Sequence, residues 1–256
     1  MKLLRLLLLV CATPVLAQDP APEVSPRPTE RPAAPEAGTA EAASASIDPS
    51  DPPTVGQRDM LALEDAAFEA CLARLTTAGV VFEKASPIVP ETDADCGILR
   101  PLNVSAIGAI SIEPPATLRC PTAEALAAWT SDFVLPASER LVDRGALSAI
   151  ENGSGYICRR RNGAPDGELS EHAFGNAFDV MGFRFADGSR IAIQPREAEG
   201  SMEEAFQDAV RASACLEFST VLGPGSNEFH DDHLHLDILA RSSGFRLCEQ
   251  GGASGD

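Results

Sequence analysis

Positive charge is scarce in this sequence, and the marks of several other protein classes are missing. Lys and Arg number 20 against 38 Asp and Glu, which gives a formal net charge of -18. Nucleic-acid binding therefore has no electrostatic support. After the first residues, no apolar stretch is long enough to span a bilayer. The absence of a G-x-S-x-G motif excludes the serine nucleophile elbow. We expect no nucleic-acid partner and no transmembrane segment in the mature protein.

The first 17 residues predict export. They combine a basic start, an apolar run and small residues near the end, the pattern of a secretory signal peptide cut before Gln18. Lipid attachment at Cys11 would need a small residue just before it, but Val10 stands there. We therefore predict a periplasmic or secreted protein without a lipid anchor at Cys11.

The chain then divides by composition. Residues 18–57 are rich in Pro, Ala, Glu, Ser and Thr and have almost no large apolar side chains. Such a segment cannot bury enough surface to offset its ordering entropy, so we predict a disordered linker. It is either a spacer between the membrane or wall and the domain, or a linker without a partner. Residues 58–250 suit one domain with a substantial core, and residues 251–256 form a flexible tail.

The cysteines predict cross-links. Removing the signal peptide leaves an even set of six in an exported chain, which favours three disulfides. Fifteen pairings are possible, and the sequence does not choose among them. The alternative is that some of these residues are buried thiols. The six are Cys71, Cys96, Cys120, Cys158, Cys215 and Cys248.

Hydrophobic periodicity predicts an α+β fold in which one face of an antiparallel sheet carries the functional site. Expected helices are 58–79, 121–144 with a kink at Pro136, and one that begins at the capping box 201–204 and runs to about 216. Expected strands are 80–82, 107–112, part of 147–158, 177–181, a hairpin of 183–185 and 190–193 around Asp187-Gly188, 218–222 and 233–238.

All four histidines fall in two short stretches, residues 170–179 and 230–235. In the second stretch His233, His235 and Asp237 alternate with apolar residues, so they share one face of a strand. Imidazole and carboxylate are ligands that Zn²⁺ accepts, and three such ligands with an open position are typical of a catalytic site. Neither stretch contains cysteine, which disfavours a closed thiolate site. The alternative is an ordinary pair of strand histidines.

These motifs resemble a known family. The S-x-H-x-x-G-x-A-x-D pattern of residues 170–179, followed by H-x-x-H-x-H at 230–235, is similar to zinc peptidases that cut peptidoglycan peptides. They include D-Ala-D-Ala carboxypeptidases and penicillin-insensitive murein endopeptidases, and the Hedgehog signalling domain shares their fold. More closely, residues 70–248 resemble the bacterial extensin-like C-terminal domain. Further matching phrases are Cys120-Pro121, Gly155-Tyr156-Ile157-Cys158-Arg159, Val221-Leu222-Gly223-Pro224-Gly225 and His233-Leu234-His235-Leu236-Asp237.

The resemblance implies a Hedgehog/DD-peptidase-like fold and roles for individual residues. His172, Asp179 and His235 become the zinc ligands. Many relatives carry a glutamate base three residues before the last histidine ligand, where this chain has Asp232. The proton would therefore be handled by Asp232, His233 or His230.

Arg159 is the nearest match to an arginine that assists the scissile carbonyl in some relatives, and it could equally be a surface charge. The expected function is hydrolysis of an amide in peptidoglycan peptides through a metal-activated water. The alternative is a zinc-stabilised wall-binding or structural module without turnover.

Overall fold

The computed structural model describes residues 56–91, 93–196 and 199–249. The predicted signal peptide, Cys11, nearly all of the predicted linker and the predicted tail lie outside the described residues. Within the described ranges, no helix has both the length and the apolar character needed to cross a membrane.

The described residues form an α+β fold with a nine-stranded sheet, in the order β1-β2-β3-β4-β5-β8-β7-β9, with β6 paired to β5. The prediction of an antiparallel sheet is wrong at two places, because β3–β4 and β7–β9 are parallel. The chain passes through the helical layer between β3 and β4, and this crossover returns it to the same end of the sheet. The strands are β1 Val80–Lys84, β2 Leu102–Ile107, β3 Ile110–Leu118, β4 Leu147–Ser154, β5 Ala177–Phe185, β6 Arg190–Ala192, β7 Thr220–Leu222, β8 Leu234–Asp237 and β9 Leu247–Cys248.

The first two predicted helices are each divided into shorter segments. The helix predicted over 58–79 is two helices, α1 Gln57–Met60 and α2 Asp65–Thr77. They are separated where the Leu61 carbonyl accepts a hydrogen bond from Arg119. The helix predicted over 121–144 consists of α3 Cys120–Trp129, a π-helical turn Thr130–Val134 and α4 Leu135–Ser138. Pro136 lies in the first turn of α4, directly after the π-helical turn, so the predicted division of this helix near Pro136 is observed.

The predicted capping box of the last helix is confirmed. Helix α5 spans Met202–Glu217, and the Ser201 hydroxyl accepts from the Glu204 N–H at 3.1 Å. The Glu204 carboxylate in turn accepts from the Gly200 N–H at 2.6 Å. The hairpin around Asp187-Gly188 is also confirmed, since β5 and β6 pair on either side of it. The strand predicted over 107–112 is interrupted, because Gly108 adopts a φ of 57° and turns β2 back into β3, which begins at Ile110.

The core lies between the sheet and the helices. Trp129 of α3 is fully buried, and its ring lies 6.3 Å from that of Phe183 and 6.4 Å from that of Phe218. Its indole N–H donates to the Val210 carbonyl of α5 at 2.9 Å, so the one tryptophan joins two helices to the sheet.

The predicted three disulfides are confirmed, and the structure gives their pairing. Cys71–Cys120 joins α2 to α3, Cys96–Cys158 joins the loop before β2 to the segment after β4, and Cys215–Cys248 joins α5 to β9. Cross-links of this kind typically contribute about 2–4 kcal/mol each.

Candidate metal centre

A short turn places the first histidine. Residues Glu171–Phe174 form one 3₁₀ turn, and the Ser170 hydroxyl accepts from the His172 N–H at 3.4 Å. Gly175 ends the turn with a φ of 65°, and a Cβ there would lie only 2.3 Å from Ile98 Cδ1. Glycine is therefore needed for both conformation and space. The chain passes from this turn directly into β5, which carries Asp179.

The pairing of β5 with β8 brings in the second histidine. Asp179 is the cross-strand partner of His235, and Phe178 is the partner of Leu236. Phe178 and Leu236 belong to the hydrophobic core, so the alternation of the two strands turns Asp179 and His235 to the opposite face.

Three ligand atoms meet at this point. His172 Nε2, Asp179 Oδ1 and His235 Nδ1 are each 3.1 Å from the other two. His172 is fully buried, and Asp179 and His235 are nearly so. These are the three residues for which the family resemblance implies zinc binding, and within the described residues no other His and carboxylate side chains form a group as close as this.

The outward nitrogen of His172 is also bonded. His172 Nδ1 lies 2.8 Å from the Gly155 carbonyl, which can only accept, so the proton is assigned to Nδ1 and the Nε2 lone pair faces the cluster. The Ser154 hydroxyl donates to Asp179 Oδ2 at 2.9 Å. Ser154 and Gly155 lie in the region 147–158, of which only part was expected to form a strand, and their part in the site was missed.

Asp237 supports the other histidine, and sequence reasoning gave it no role. His235 Nε2 donates to Asp237 Oδ2 at 3.1 Å, which leaves the Nδ1 lone pair for the cluster. Asp237 is buried and also accepts from the Leu239 N–H at 3.0 Å. The alternation of residues 233–238 was the signal that could have found it, because it places Asp237 on the face of His235.

The charges of the cluster are shifted by its burial and hydrogen bonds. Burial alone would lower the pKa of His235, but Asp179 and Asp237 raise it to about 9. Burial alone would raise the pKa of Asp179, but its contacts with the imidazoles of His172 and His235 hold it well below its ordinary value. In the metal-free protein a proton on His235 therefore lies between two carboxylates, and a metal ion must displace it.

The remaining predicted residues lie at the edge of the cluster. His233 Nε2 is 3.7 Å from Asp179 Oδ1, and His233 Nδ1 is 2.8 Å from Asp232 Oδ1. His230 Nδ1 is 2.7 Å from Asn227 Oδ1, and its ring centroid is 5.1 Å from that of His233. Burial, followed by the nearby His235 and His233, lowers the pKa of His230 to about 4.

A cleft of about 540 Å³ opens beside these histidines. Arg159 lines it, and among the described residues its guanidinium has no hydrogen-bond or ion-pair partner. The buried Glu171 also lines the cleft, and burial raises the pKa of its carboxyl. The cleft therefore brings His235, one of the three candidate ligands, onto one surface with Arg159 and a buried carboxylate. Its other lining residues are Arg161, Asn162, Gly163, Ser170, Thr220, Leu222, Asn227, Phe229, His230, His233, His235, Asp237, Leu239, Arg241 and Leu247.

The family model of the extensin-like protein C-terminus matches residues 69–249. The chain belongs to this family. The match agrees with the resemblance predicted over 70–248, and it takes in all four histidines and all six cross-linked cysteines. The ligand cluster, the cleft and the disulfides are therefore features of the extensin-like domain. No curated protein and no solved structure matches the chain.

Proposed function

We propose that this extensin-like domain binds one zinc ion through His172, Asp179 and His235 and hydrolyses an amide bond in peptidoglycan peptides. The observation that carries the proposal is the set of three 3.1 Å separations among the buried ligand atoms.

The three residues fit zinc in the type of ligand atom, in the distances between these atoms and in the hydrogen bonds that orient the imidazoles. Adjacent ligands in a tetrahedral zinc site lie about 3.3 Å apart, as follows from zinc–ligand distances of about 2.0–2.1 Å. The 3.1 Å separations here are close to that value. Both imidazoles have the outward nitrogen bonded to an acceptor, Gly155 or Asp237, as metal-binding histidines usually do.

Zinc held there would supply a Lewis acid that polarises a carbonyl and lowers the pKa of a bound water towards about 7. The chain's own residues would handle the proton. His233 is best placed as general base, because its Nε2 faces the ligand cluster while Asp232 accepts from its Nδ1 and stabilises the imidazolium. His230 is a weaker candidate, because a pKa of about 4 makes it a poor proton acceptor at neutral pH. Arg159 lies in the cleft wall without a carboxylate partner among the described residues, and it would stabilise the developing oxyanion.

The substrate class follows from the resemblance of the two histidine motifs to peptidoglycan zinc peptidases. We include in the proposal a Hedgehog/DD-peptidase-like arrangement of the sheet and a location in the periplasm or outside the cell. The cleft volume of about 540 Å³ suits a few residues of a peptide in an open groove.

The test is digestion of purified muropeptides by the mature protein and by three variants. His233→Gln should lower the rate by about 10²- to 10⁴-fold, the usual worth of general base catalysis, with zinc content unchanged. Asp232→Asn should lower it by a smaller factor. Asp231→Asn is the matched control, because this neighbouring carboxylate accepts from the Gly225 N–H and not from a histidine.

Muropeptide cleavage that survives His233→Gln would remove the assigned base. Zinc without any cleavage by the unaltered protein would favour the alternative, a zinc-stabilised wall-binding module.

A further inference from the structure

One of the three arginines that line the cleft, Arg241, is held in place there and has no role in the proposed hydrolysis. Arg241 lines the cleft and is half-buried. Its Nη1 donates to the Ser219 carbonyl and its Nη2 to the Thr220 hydroxyl, both at 2.8 Å. These acceptors are neutral, and among the described residues Arg241 forms no ion pair, although Asp and Glu number 38 in the whole chain. The guanidinium is fixed in place, and no carboxylate in the described part of the chain pairs with it.

Other cationic groups in the structure do not share this combination. Arg161 also lines the cleft, but it pairs with Glu168 at 2.6 Å. Arg246 donates to two carbonyls, those of Cys215 at 3.0 Å and Phe218 at 2.8 Å, but it does not line the cleft. Arg159 lines the cleft without a partner that fixes it, whereas Arg241 lines the cleft, is held by two neutral acceptors and has no carboxylate partner among the described residues.

The strand register gives the distance of Arg241 from the ligand cluster. Its bonding partner Thr220 pairs with Asp237, and two residues along β7 Leu222 pairs with His235. A strand rises about 3.3–3.4 Å per residue, so Arg241 is anchored about 7 Å along the sheet from His235. An extended peptide covers that distance in about two residues. The cleft lining also includes the apolar side chains of Leu222, Phe229, Leu239 and Leu247.

We propose that Arg241 binds a free carboxylate of the peptide substrate, one or two residues from the amide that is cut. The apolar part of the lining contacts the chain between the two groups. This assignment rests on the proposed function. Arg241 is then the residue that selects peptides with a free carboxylate at the C-terminus or on a side chain. The carboxylate can be the peptide's C-terminus or the side chain of a diamino acid.

Equilibrium binding by calorimetry tests the assignment without requiring turnover. The probes are a synthetic stem pentapeptide ending in D-Ala-D-Ala as the free acid, its C-terminal amide, and a form with the diamino-acid carboxylate amidated. Titrations use the chelator-treated mature protein, so that no metal contributes to carboxylate binding. Amidation of the recognised carboxylate should weaken binding by about 10- to 100-fold, the usual worth of a hydrogen bond to a charged group. The amide that weakens binding identifies which carboxylate is held.

Arg241→Gln should weaken binding of the free acid by a similar factor. It should leave unchanged the binding of the peptide whose recognised carboxylate is amidated. Arg241→Lys should retain part of the preference for the free acid over that amide. Arg246→Gln is the matched control, because it removes the same charge and two bonds from the same α5–β7 region outside the cleft. Equal binding of acid and both amides, or equal weakening of all three by Arg241→Gln, would overturn the assignment. Zinc content and muropeptide cleavage, measured separately, report on the proposed function, so the two proposals can fail independently.

Discussion

Strands β2 and β5 belong to the same sheet but bury their side chains differently. In β2 the buried residues are Leu102, Val104 and Ile107, and those between them are partly exposed. In β5 burial is continuous over residues 177–180, and it includes the charged Asp179. One strand covers a core on one face only, whereas the other is covered on both faces.

The difference shows where the fold supports chemistry. Burying a carboxylate is costly unless it is hydrogen-bonded or binds a metal, and Asp179 meets two imidazoles and the Ser154 hydroxyl. The face of β2 opposite the core carries no such cluster within the described residues. The β2 region therefore supplies stability, and the β5–β8 region supplies the site.

The largest expected effect comes from removing a ligand. His172→Ala should abolish zinc binding, with less than about one-tenth of an ion retained per chain, because two remaining ligands do not hold zinc tightly. Metal content by mass spectrometry measures this. His230→Ala is the control, since His230 lies outside the ligand triangle, and a comparable loss of zinc in that variant would contradict the assigned ligand set.

A substitution in the β2 region should lower stability and leave zinc binding intact. Leu102 is fully buried, so Leu102→Ala should lower the free energy of unfolding by about 2–5 kcal/mol while the folded protein keeps its zinc. Chemical denaturation with the disulfides intact gives the first value and metal content the second. If Leu102→Ala lost zinc without a lower free energy of unfolding, the assignment of stability to the β2 region and of metal binding to the β5–β8 region would be wrong.

A smaller effect is expected from the support of His235. Asp237→Asn should weaken zinc binding by about 10- to 100-fold, because the carboxylate that orients the imidazole and makes it more basic is lost. Competition with a zinc chelator measures the affinity. Unchanged affinity would mean that the contact between His235 and Asp237 gives the site no support.

The smallest expected effect is the change in zinc affinity for each pH unit. His235 must lose its proton to bind metal, and its pKa in the metal-free protein is about 9. Zinc affinity should therefore rise about tenfold per pH unit up to about pH 9 and then level off. Calorimetry in buffers of different ionisation enthalpy should show about one proton released near pH 7, whereas no release would contradict the protonated state of His235.

The position of the site was predictable because the sequence holds only four histidines, and alternation put His235 and Asp237 on one strand face. The contact of Asp179 with His235 depends on the β5–β8 register, which local periodicity does not determine. The roles of Ser154 and Gly155 depend on β4 lying beside β5, a long-range pairing with no sequence signal.

The locally determined parts of the fold were also predictable from the sequence, and the long-range pairings were not. Helix α5 and the β5–β6 hairpin have local signals in their capping box and turn residues. The parallel β3–β4 pair and the three disulfide pairings do not, because residues far apart in the chain make them.

Zinc-edge anomalous diffraction from crystals of the mature protein, grown without chelator, tests the central claim most directly. We predict one strong anomalous peak per chain, about 2.0–2.2 Å from His172 Nε2, Asp179 Oδ1 and His235 Nδ1. The absence of a peak among these three atoms in zinc-supplemented crystals, or a peak bound elsewhere on the domain, would contradict it.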